Sequence, residues 1–294
     1  MFTGSGVALV TPMDQTGEID ASALSKLVDW HLEQATAALV ITGTTGEGAT
    51  LSDKEQQQLW RQVVNQVQGK IPVIAGTGTQ ATKSTIEKTL AAKAAGVDAT
   101  LIVTPFYNKP TQEGVYQHFA AIAQAVPLPI ILYNVPSRTG CDLHTATVAR
   151  LSQLAEIIGL KDATGELSRV LHLQQSCASE FKLYSGDDAT ALSFMQLQGH
   201  GIISVAANVV PGLMVKLCQQ AAAVQDWGQA AQLNQQLSHL YQALAVAPNP
   251  IPVKWALQAM DKIGPGIRLP LLPLAKAYQQ PLREALATIG AMYV

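Results

Sequence analysis

Short runs of apolar residues alternate along the chain with segments that have helical character. Runs of four or five residues that are apolar on both faces are typical of buried parallel strands. Eight such runs predict strands at residues 7–10, 38–42, 73–76, 100–104, 130–134, 157–161, 182–185 and 201–205. Helices are predicted between them at 20–34, 82–95 and 112–125. A further helix is expected after Ser52, which forms a capping-box sequence with Glu55.

The order of these elements predicts an α/β fold built on a parallel sheet. About eight strand–helix units follow one another, and closing them into a (β/α)8 TIM barrel gives every strand two neighbours. A doubly wound open sheet is the alternative, although it usually has fewer strands and a recognisable phosphate-binding turn. After about residue 224 the strand pattern stops, and helices are predicted at 226–246, 252–260 and 272–289. We therefore expect a catalytic barrel at 1–224 and a small C-terminal helical domain at 225–294.

Composition and charge exclude several classes of function. The 294 residues carry a formal net charge of −2, which gives no basic surface for nucleic acid. No apolar run approaches the ~20 residues of a membrane span, and no signal peptide is evident. Cys141, Cys177 and Cys218 match neither a disulfide framework nor a zinc pattern, and the histidines lack metal-ligand spacing. We expect a reduced, cytoplasmic protein with no metal, and no nucleotide-binding glycine motif is present.

Lys161 is the most informative residue, because it ends the predicted strand at 157–161. A lysine is almost never fully buried without compensation of its charge. Apolar surroundings would lower the pKa of its amine, and the neutral amine can attack a carbonyl to form a Schiff base. The alternative is a lysine that ends a strand and extends its amine to water.

Other polar residues fall at strand ends that share one face of the predicted barrel, where the active sites of such barrels form. Thr44 and Thr45 lie in a GTTGE turn, whose N–H groups and hydroxyls could bind a carboxylate. Tyr133 could act as a general acid or base, and Arg138 could clamp a second carboxylate. Taken singly, the GTTGE turn could be an ordinary polar turn, Tyr133 a packed strand aromatic and Arg138 a solvated surface residue. Tyr107 could simply pack against its neighbours. Because all of these residues fall on one face of the predicted barrel, an active site is favoured over these structural alternatives.

Three segments carry a resemblance to a known family: GTTGE at 43–47, YNVPSRTG at 133–140 and IGLKDAT at 158–164. Together they resemble the dihydrodipicolinate synthase family of the pyruvate-dependent class I aldolases, a superfamily that includes N-acetylneuraminate lyase. The resemblance covers nearly the whole chain, up to the PNPIPVK segment at 248–254. The resemblance to the synthase subfamily in particular depends on Arg138 in the SRTG segment, because the superfamily's lyases usually lack an arginine there.

The resemblance implies a carbon–oxygen lyase that condenses pyruvate with L-aspartate 4-semialdehyde to give 4-hydroxy-tetrahydrodipicolinate, for diaminopimelate and lysine synthesis. Lys161 would form the Schiff base with pyruvate, and no cofactor is expected because the ketone of the substrate supplies the electron sink. Tyr133 would move protons, and Thr44 would link it to Tyr107 of the neighbouring subunit. The implied assembly is a homo-oligomer, with a tetramer made of two dimers as the family expectation; the sequence does not separate tetramer from dimer.

The same resemblance implies the residues that hold each substrate. Thr44 and Thr45 would bind the pyruvate carboxylate, and the backbone near Ile203 would line the pyruvate site. Arg138 would bind the carboxylate of L-aspartate 4-semialdehyde. The sequence leaves open whether Asp187 and Asp188 touch substrate or serve an interface.

The chain departs from lysine-inhibited members of the family at their effector pocket. Those members carry His or Lys at position 56, Glu at 84 and Tyr at 106, with a polar residue near 80. The corresponding residues here are Gln56, Gln80, Ser84 and Phe106. Because Ser84 cannot replace the charge that pairs with the effector's ammonium group, we expect weak or absent inhibition by lysine.

Two other functions remain open at this stage. A 2-keto-3-deoxy sugar acid aldolase would share Lys161, Tyr133 and the GTTGE turn, but its sugar substrate would need hydroxyl partners where Arg138 offers a carboxylate clamp. A barrel that binds a 2-oxo acid without turning it over is the remote alternative. The complete set of reactive residues argues against it, because a binding protein has no need of the nucleophile.

Overall fold

The structure, a computed structural model, describes residues 1–223 and 227–292. Eight parallel strands form a closed barrel in chain order, and β1 pairs with both β2 and β8 to complete it. The strands are β1 (Gly4–Ala8), β2 (Ala38–Ile41), β3 (Val73–Gly76), β4 (Ala99–Val103), β5 (Ile130–Asn134), β6 (Ile157–Asp162), β7 (Lys182–Ser185) and β8 (Gly201–Ser204). The predicted TIM barrel is therefore confirmed.

Helices connect the strands and continue beyond the last of them. Those of the barrel are α1 (Ala21–Glu33), α2 (Asp53–Val67), α3 (Thr82–Ala94), α4 (Gln112–Ala125), α5 (Pro136–Thr139), α6 (Thr145–Leu151), α7 (Ser168–Ser176), α8 (Ala191–Gln196) and α9 (Pro211–Ala222). They are followed by α10 (Trp227–Leu244), α11 (Ile251–Ala259) and α12 (Lys276–Thr288). The capping box before α2 is confirmed: the Ser52 hydroxyl accepts from the Glu55 N–H, and the Glu55 carboxylate accepts from the Ser52 N–H. No helix among the described residues is long and apolar enough to cross a membrane.

Some boundaries differ from those predicted. The first strand begins at Gly4 rather than residue 7, because Gly4, Ser5 and Gly6 pair with the start of β8. A Cβ on Gly201 would lie 2.1 Å from the Gly4 carbonyl oxygen, so this closure of the barrel requires glycine. Helix α12 begins at Lys276 rather than residue 272, since Pro273 disfavours helical backbone at the residue before it.

The core has an interior layer and an outer layer. Inside the barrel, alternate strand residues pack together, among them Val40, Ile74, Ile131 and Ile203. Outside it, larger apolar clusters fill the space between the strands and the helices. At the N-terminal end of the strands, the Tyr184 ring stacks on Phe2 at 4.5 Å, and the Tyr184 hydroxyl donates to the Phe2 carbonyl. This pair fills the end of the barrel opposite to the predicted site.

The C-terminal helices pack on the barrel through α9 and α10, which belong to one apolar cluster. The predicted boundary between residues 224 and 225 lies outside the described residues, as does the predicted helix start at 226. A buried ion pair between Lys254 of α11 and Glu47, which follows β2, also joins the two parts of the chain. The Arg268 N–H donates to the second oxygen of Glu47 at 3.1 Å. The C-terminal segment is thus fixed to the loop that carries the GTTGE turn.

Candidate active site

A cleft of about 660 Å³ opens at the C-terminal ends of the strands. The turn after β2, the loops after β3, β4 and β5, and the C-terminal segment all contribute to it. Thr44, Tyr133 and Arg138 line this cleft together with Asn249 and Pro250. Three of the residues predicted from sequence therefore share one cavity, at the face predicted for a barrel enzyme.

Lys161 lies on β6 with only 5% of its surface exposed. It is the cross-strand partner of Tyr133 on β5, and its Nζ lies 4.5 Å from the centroid of the Tyr133 ring. A Cβ on Gly186 would lie 2.7 Å from the Lys161 Cε and 2.9 Å from the Ala163 Cβ, so a larger residue there would displace the lysine stem. The amine is thus held inside the barrel against a face of Tyr133, and the alternative of an amine extended to water is wrong.

The environment of Lys161 favours the neutral amine. Burial lowers its pKa to about 8, opposed by the negative charge of Asp188 and assisted by the positive charge of Arg138. An ordinary lysine, with a pKa near 10.5, has about one neutral amine in 3,000 at pH 7, whereas a pKa of 8 gives about one in eleven. The site therefore raises the nucleophilic fraction about 300-fold at that pH.

Tyr133 has the opposite perturbation. Burial raises the pKa of its phenol, although a hydrogen bond with the Thr44 side chain and the charge of Arg138 act to lower it. The phenol therefore stays protonated across the pH range in which Lys161 titrates. A protonated phenol beside a neutral amine can donate a proton to a carbonyl oxygen while the amine attacks its carbon.

The GTTGE turn is a tight loop held by its own backbone. The Glu47 N–H donates to the Thr44 carbonyl at 3.2 Å, and the Gly48 N–H donates to the Gly43 carbonyl at 3.1 Å. Thr44 lies partly exposed in the cleft, whereas Thr45 is buried behind it. The Thr45 Oγ1 accepts from the Asn249 Nδ2 at 2.9 Å, so the second threonine is positioned by the C-terminal segment.

Arg138 lies exposed on the one-turn helix α5, which begins at Pro136 and ends before Gly140 in the left-handed conformation. Its Nη2 donates to the Asn249 carbonyl at 3.2 Å. Asn249 therefore contacts Thr45 through its side chain and Arg138 through its backbone. The Pro-Asn-Pro sequence around Asn249 predicts only a break between helices and signals no functional role for this residue.

Two predicted residues lie apart from the others in a single chain. Tyr107 is 91% exposed with a φ of +74°, and it does not line the cleft of its own chain. Its N–H donates to the Thr139 carbonyl at 3.3 Å, which fixes the backbone while the ring projects outward. Ile203 is fully buried in the barrel interior on β8.

Asp187 and Asp188, left open by the sequence, both anchor backbone near the site. The Asp187 Oδ2 accepts from the N–H and hydroxyl of Thr190 immediately before α8. The Asp188 Oδ2 accepts from the N–H groups of Val205 and Ala206, at 3.1 and 2.8 Å, just after β8. Asp188 is also the negative charge that acts on Lys161. Its carboxylate therefore links the ends of β7 and β8 beside the amine.

The residues of the predicted effector region occupy the other part of the cleft, except Ser84, which is exposed on α3. Gln56 is buried, and its Nε2 donates to the Gly48 and Leu51 carbonyls. Gln80, Phe106 and Lys88 line the same wall, and the Lys88 Nζ lies 3.4 Å from an Asp53 oxygen. Weak or absent inhibition by lysine remains a prediction.

The buried histidines have structural partners. His31 shares a 2.9 Å hydrogen bond with Thr36, and burial lowers its pKa to about 3. His118 bonds with Thr82 at 2.9 Å, and burial lowers its pKa to about 4. Within the described ranges, no group of three or more His, Cys, Asp or Glu side chains is arranged to hold a metal ion.

The dihydrodipicolinate synthetase family model matches residues 1–289. The 4-hydroxy-tetrahydrodipicolinate synthase of Pseudomonas savastanoi pv. phaseolicola is 54% identical over 293 residues, which are 99% of this chain and 100% of that protein. A chloride-inhibited dihydrodipicolinate synthase from Acinetobacter baumannii, solved with pyruvate, superimposes with a TM-score of 0.97 at 50% identity, covering 99% of this chain and 100% of that one. A monomeric dihydrodipicolinate synthase variant gives a TM-score of 0.96 at 38% identity, covering 99% and 98%.

Proposed function

The chain belongs to the dihydrodipicolinate synthetase family, and from this premise we propose that the cleft beside Lys161 is where it acts. The enzyme condenses pyruvate with L-aspartate 4-semialdehyde to give 4-hydroxy-tetrahydrodipicolinate, in the diaminopimelate and lysine pathway. The observation that carries the assignment of the site is the buried Lys161 amine, whose pKa is lowered to about 8 and which faces Tyr133 at 4.5 Å.

The first stage of the proposed mechanism joins pyruvate to the enzyme. The neutral Lys161 amine attacks the C2 carbonyl of pyruvate, and loss of one water gives the iminium. Thr44 and Thr45 hold the pyruvate carboxylate with their backbone N–H groups and hydroxyls, at the turn that Asn249 supports. The backbone at Ile203 lines the far wall of the pyruvate site.

Proton transfer at this stage belongs to Tyr133. Its phenol, kept protonated by burial, donates a proton to the departing oxygen, which leaves as water. The iminium then withdraws electrons from the pyruvate methyl group, which loses a proton and becomes the nucleophilic carbon of an enamine. Thr44, hydrogen bonded to Tyr133, links the phenol to Tyr107 of the neighbouring copy in a proton relay.

The second stage adds the aldehyde. Arg138 binds the carboxylate of L-aspartate 4-semialdehyde through charge-assisted hydrogen bonds, which its exposed position in the cleft permits. The enamine carbon attacks the aldehyde carbon, and the aldehyde oxygen becomes the hydroxyl of the product. The amino group of the second substrate then attacks the iminium carbon, which closes the ring and releases Lys161 as the free amine.

The proposed assembly is a homo-oligomer in which Tyr107 enters the site of a neighbouring copy. This proposal is supported by its exposure of 91%, by its left-handed backbone with a φ of +74°, and by its absence from the lining of its own cleft. We further propose that two such dimers associate as a tetramer. The monomeric variant among the structural relatives shows that this fold also exists as a single chain.

Two other proposals concern the chain as a whole. A reduced, cytoplasmic location is supported by three cysteines, none of which forms a disulfide. A division into a catalytic barrel at 1–224 and a helical domain at 225–294 is supported by the end of the strand pattern after β8.

The direct test is condensation of pyruvate with L-aspartate 4-semialdehyde, followed through a coupled reductase that consumes the product. Turnover by the wild-type protein, and its loss in Lys161→Ala, would support the assignment. A 2-keto-3-deoxy sugar acid cleaved faster than the condensation proceeds would instead favour the sugar acid aldolase. Sedimentation of Tyr107→Trp, which keeps an aromatic ring, separates an assembly defect from a chemical one.

A further inference from the structure

A second pair of polar residues directly follows Tyr133 and Lys161 along strands β5 and β6. Tyr133 and Lys161 are cross-strand partners, and the next residues, Asn134 and Asp162, are partners as well. Because successive side chains of a strand point to opposite faces, the first pair points into the barrel and the second points outward, under the helices. Whatever holds the outward pair also fixes the ends of β5 and β6, and with them the inward pair.

A buried polar network holds the outward pair. The Asn134 Nδ2 donates to the Asp142 Oδ1 at 2.8 Å and to the Asp162 Oδ2 at 3.3 Å. Its Oδ1 accepts from the Leu143 N–H at 3.0 Å. Asn134 is fully buried, so its bonds to Asp162 and Leu143 form away from water, whereas Asp142 is partly exposed. One side chain thus ties the end of β5 to β6 and to the loop that follows Arg138.

Arg169 of α7 completes this network from the opposite side. Its Nη1 donates to the Asp142 Oδ2 at 3.1 Å, and its Nε lies 3.2 Å from the Asp162 Oδ2. Its Nη2 donates to the Leu143 carbonyl at 2.6 Å. The Arg169 side chain is 12% exposed and that of Asp162 is 7% exposed. Two carboxylates on neighbouring segments therefore share one buried cation, which keeps them from repelling each other.

The arrangement is not a ligand site. The cavity lined by Asp162, Arg169 and their neighbours is about 10 Å³, which is room for a single water at most. Burial acts to raise the pKa of Asp142, but hydrogen bonds from Asn134 and Arg169 hold it below its usual range. Both carboxylates are therefore paired with Arg169 inside the protein, at 3.1 Å for Asp142 and 3.2 Å for Asp162.

We propose that Asn134, Asp142, Asp162 and Arg169 are positioning residues: they lock the ends of β5 and β6 so that the Lys161 amine and the Tyr133 phenol share one reaction geometry. The inference rests on the proposed function of Lys161. It concerns the rate at which the iminium forms, because the pyruvate carboxylate is held elsewhere, by the turn after β2. Loosening the strand ends should slow attack while leaving pyruvate binding nearly unchanged.

The test measures the formation of the pyruvate adduct, trapped with borohydride and quantified by mass spectrometry over time. Arg169→Met should lower the limiting rate about tenfold or more, with pyruvate half-saturation within about twofold of wild type. Arg169→Lys, which keeps the positive charge but not the several N–H donors of the planar guanidinium, should recover part of the rate. Asn134→Ala leaves both arginine ion pairs in place and should give a smaller loss. Arg150→Met is the matched control, because Arg150 pairs with Glu113 on an exposed surface outside the network.

The outcomes separate positioning from stability. If the variants melt at lower temperature but form the adduct at the wild-type limiting rate, the network is only structural and the proposal is overturned. Should Arg169→Met fail to fold, Asn134→Ala and Arg169→Lys decide: unchanged limiting rates overturn the proposal, and reduced rates at unchanged half-saturation support it. If wild-type protein itself forms no adduct on Lys161, the proposed function fails, and the inference fails with it.

Discussion

Lys254→Met should destabilise the protein strongly, because it leaves the Glu47 carboxylate buried without its counter-charge. The Glu47 side chain is 1% exposed and that of Lys254 is 4% exposed. Removing one partner of a buried ion pair typically costs ~3–5 kcal/mol of unfolding free energy. Glu47 keeps one hydrogen bond, from the Arg268 N–H, so we expect a value near the lower end, about 3 kcal/mol.

A double-mutant cycle tests the reasoning. Glu47→Gln/Lys254→Met removes both charges, so no uncompensated charge is left buried, and the introduced amide carbonyl can still accept from the Arg268 N–H. We therefore expect the double variant to recover most of the stability lost by Lys254→Met. Denaturant unfolding at one fixed protein concentration measures each variant, since the proposed assembly would make the apparent stability depend on concentration. Lys83→Met, which removes an exposed ion pair with Glu87, is the control and should unfold like wild type.

The result also bears on function, because Glu47 lies in the turn that we propose holds the pyruvate carboxylate. The half-saturating concentration of pyruvate should rise in Lys254→Met, since the turn loses its connection to α11. A loss below about 1 kcal/mol in Lys254→Met would refute the account of the buried pair. A double variant as unstable as the sum of its single variants would refute it equally, because the two side chains would then act independently.

Three further predictions concern the cleft. The rate of adduct formation with dilute pyruvate should rise about tenfold per pH unit below pH 8 and level off above it. The reason is that the Lys161 amine, with a pKa of about 8, reacts only when it is neutral. A rate that still climbs through pH 10 would contradict this prediction. Arg138→Ala should lower kcat/KM for L-aspartate 4-semialdehyde by about a hundredfold, because a charge-assisted pair worth ~2–3 kcal/mol is lost. The pyruvate adduct should form normally in this variant. An unchanged kcat/KM would contradict the proposal that Arg138 binds the carboxylate of this substrate. Lysine at 1 mM should leave initial rates almost unchanged, because Ser84 offers no carboxylate to its ammonium group, and half-inhibition below about 1 mM would overturn that expectation.

The barrel could be predicted because its strands are buried on both faces and so appear as uninterrupted apolar runs. Lys161, Tyr133 and Arg138 could be placed on one face because strand ends in a barrel meet at that face. The start of β1 was missed, since Gly4 has little strand preference and pairs only because Gly201 lies opposite it in the closed sheet. Local sequence determines propensity, but closure of the barrel determined this boundary.

Contacts between distant parts of the chain account for what the sequence did not reveal. Lys254 and Glu47 are 207 residues apart, and each occurs in a segment with no local signal for a partner. Asn249 follows the same rule, because its contacts with Thr45 and Arg138 exist only once the C-terminal segment has packed on the barrel. Asp162 carried a signal that went unused: a charged residue beside Lys161 in a buried strand must have a partner.

The most direct test of the account is to trap the enzyme with pyruvate and borohydride and to map the modified peptide. The account predicts one reduced pyruvyl group per chain, attached to Lys161, and none in Lys161→Arg. An adduct on a different lysine, or no adduct at all in a protein that still turns over its substrates, would contradict the central claim that this buried amine is the nucleophile.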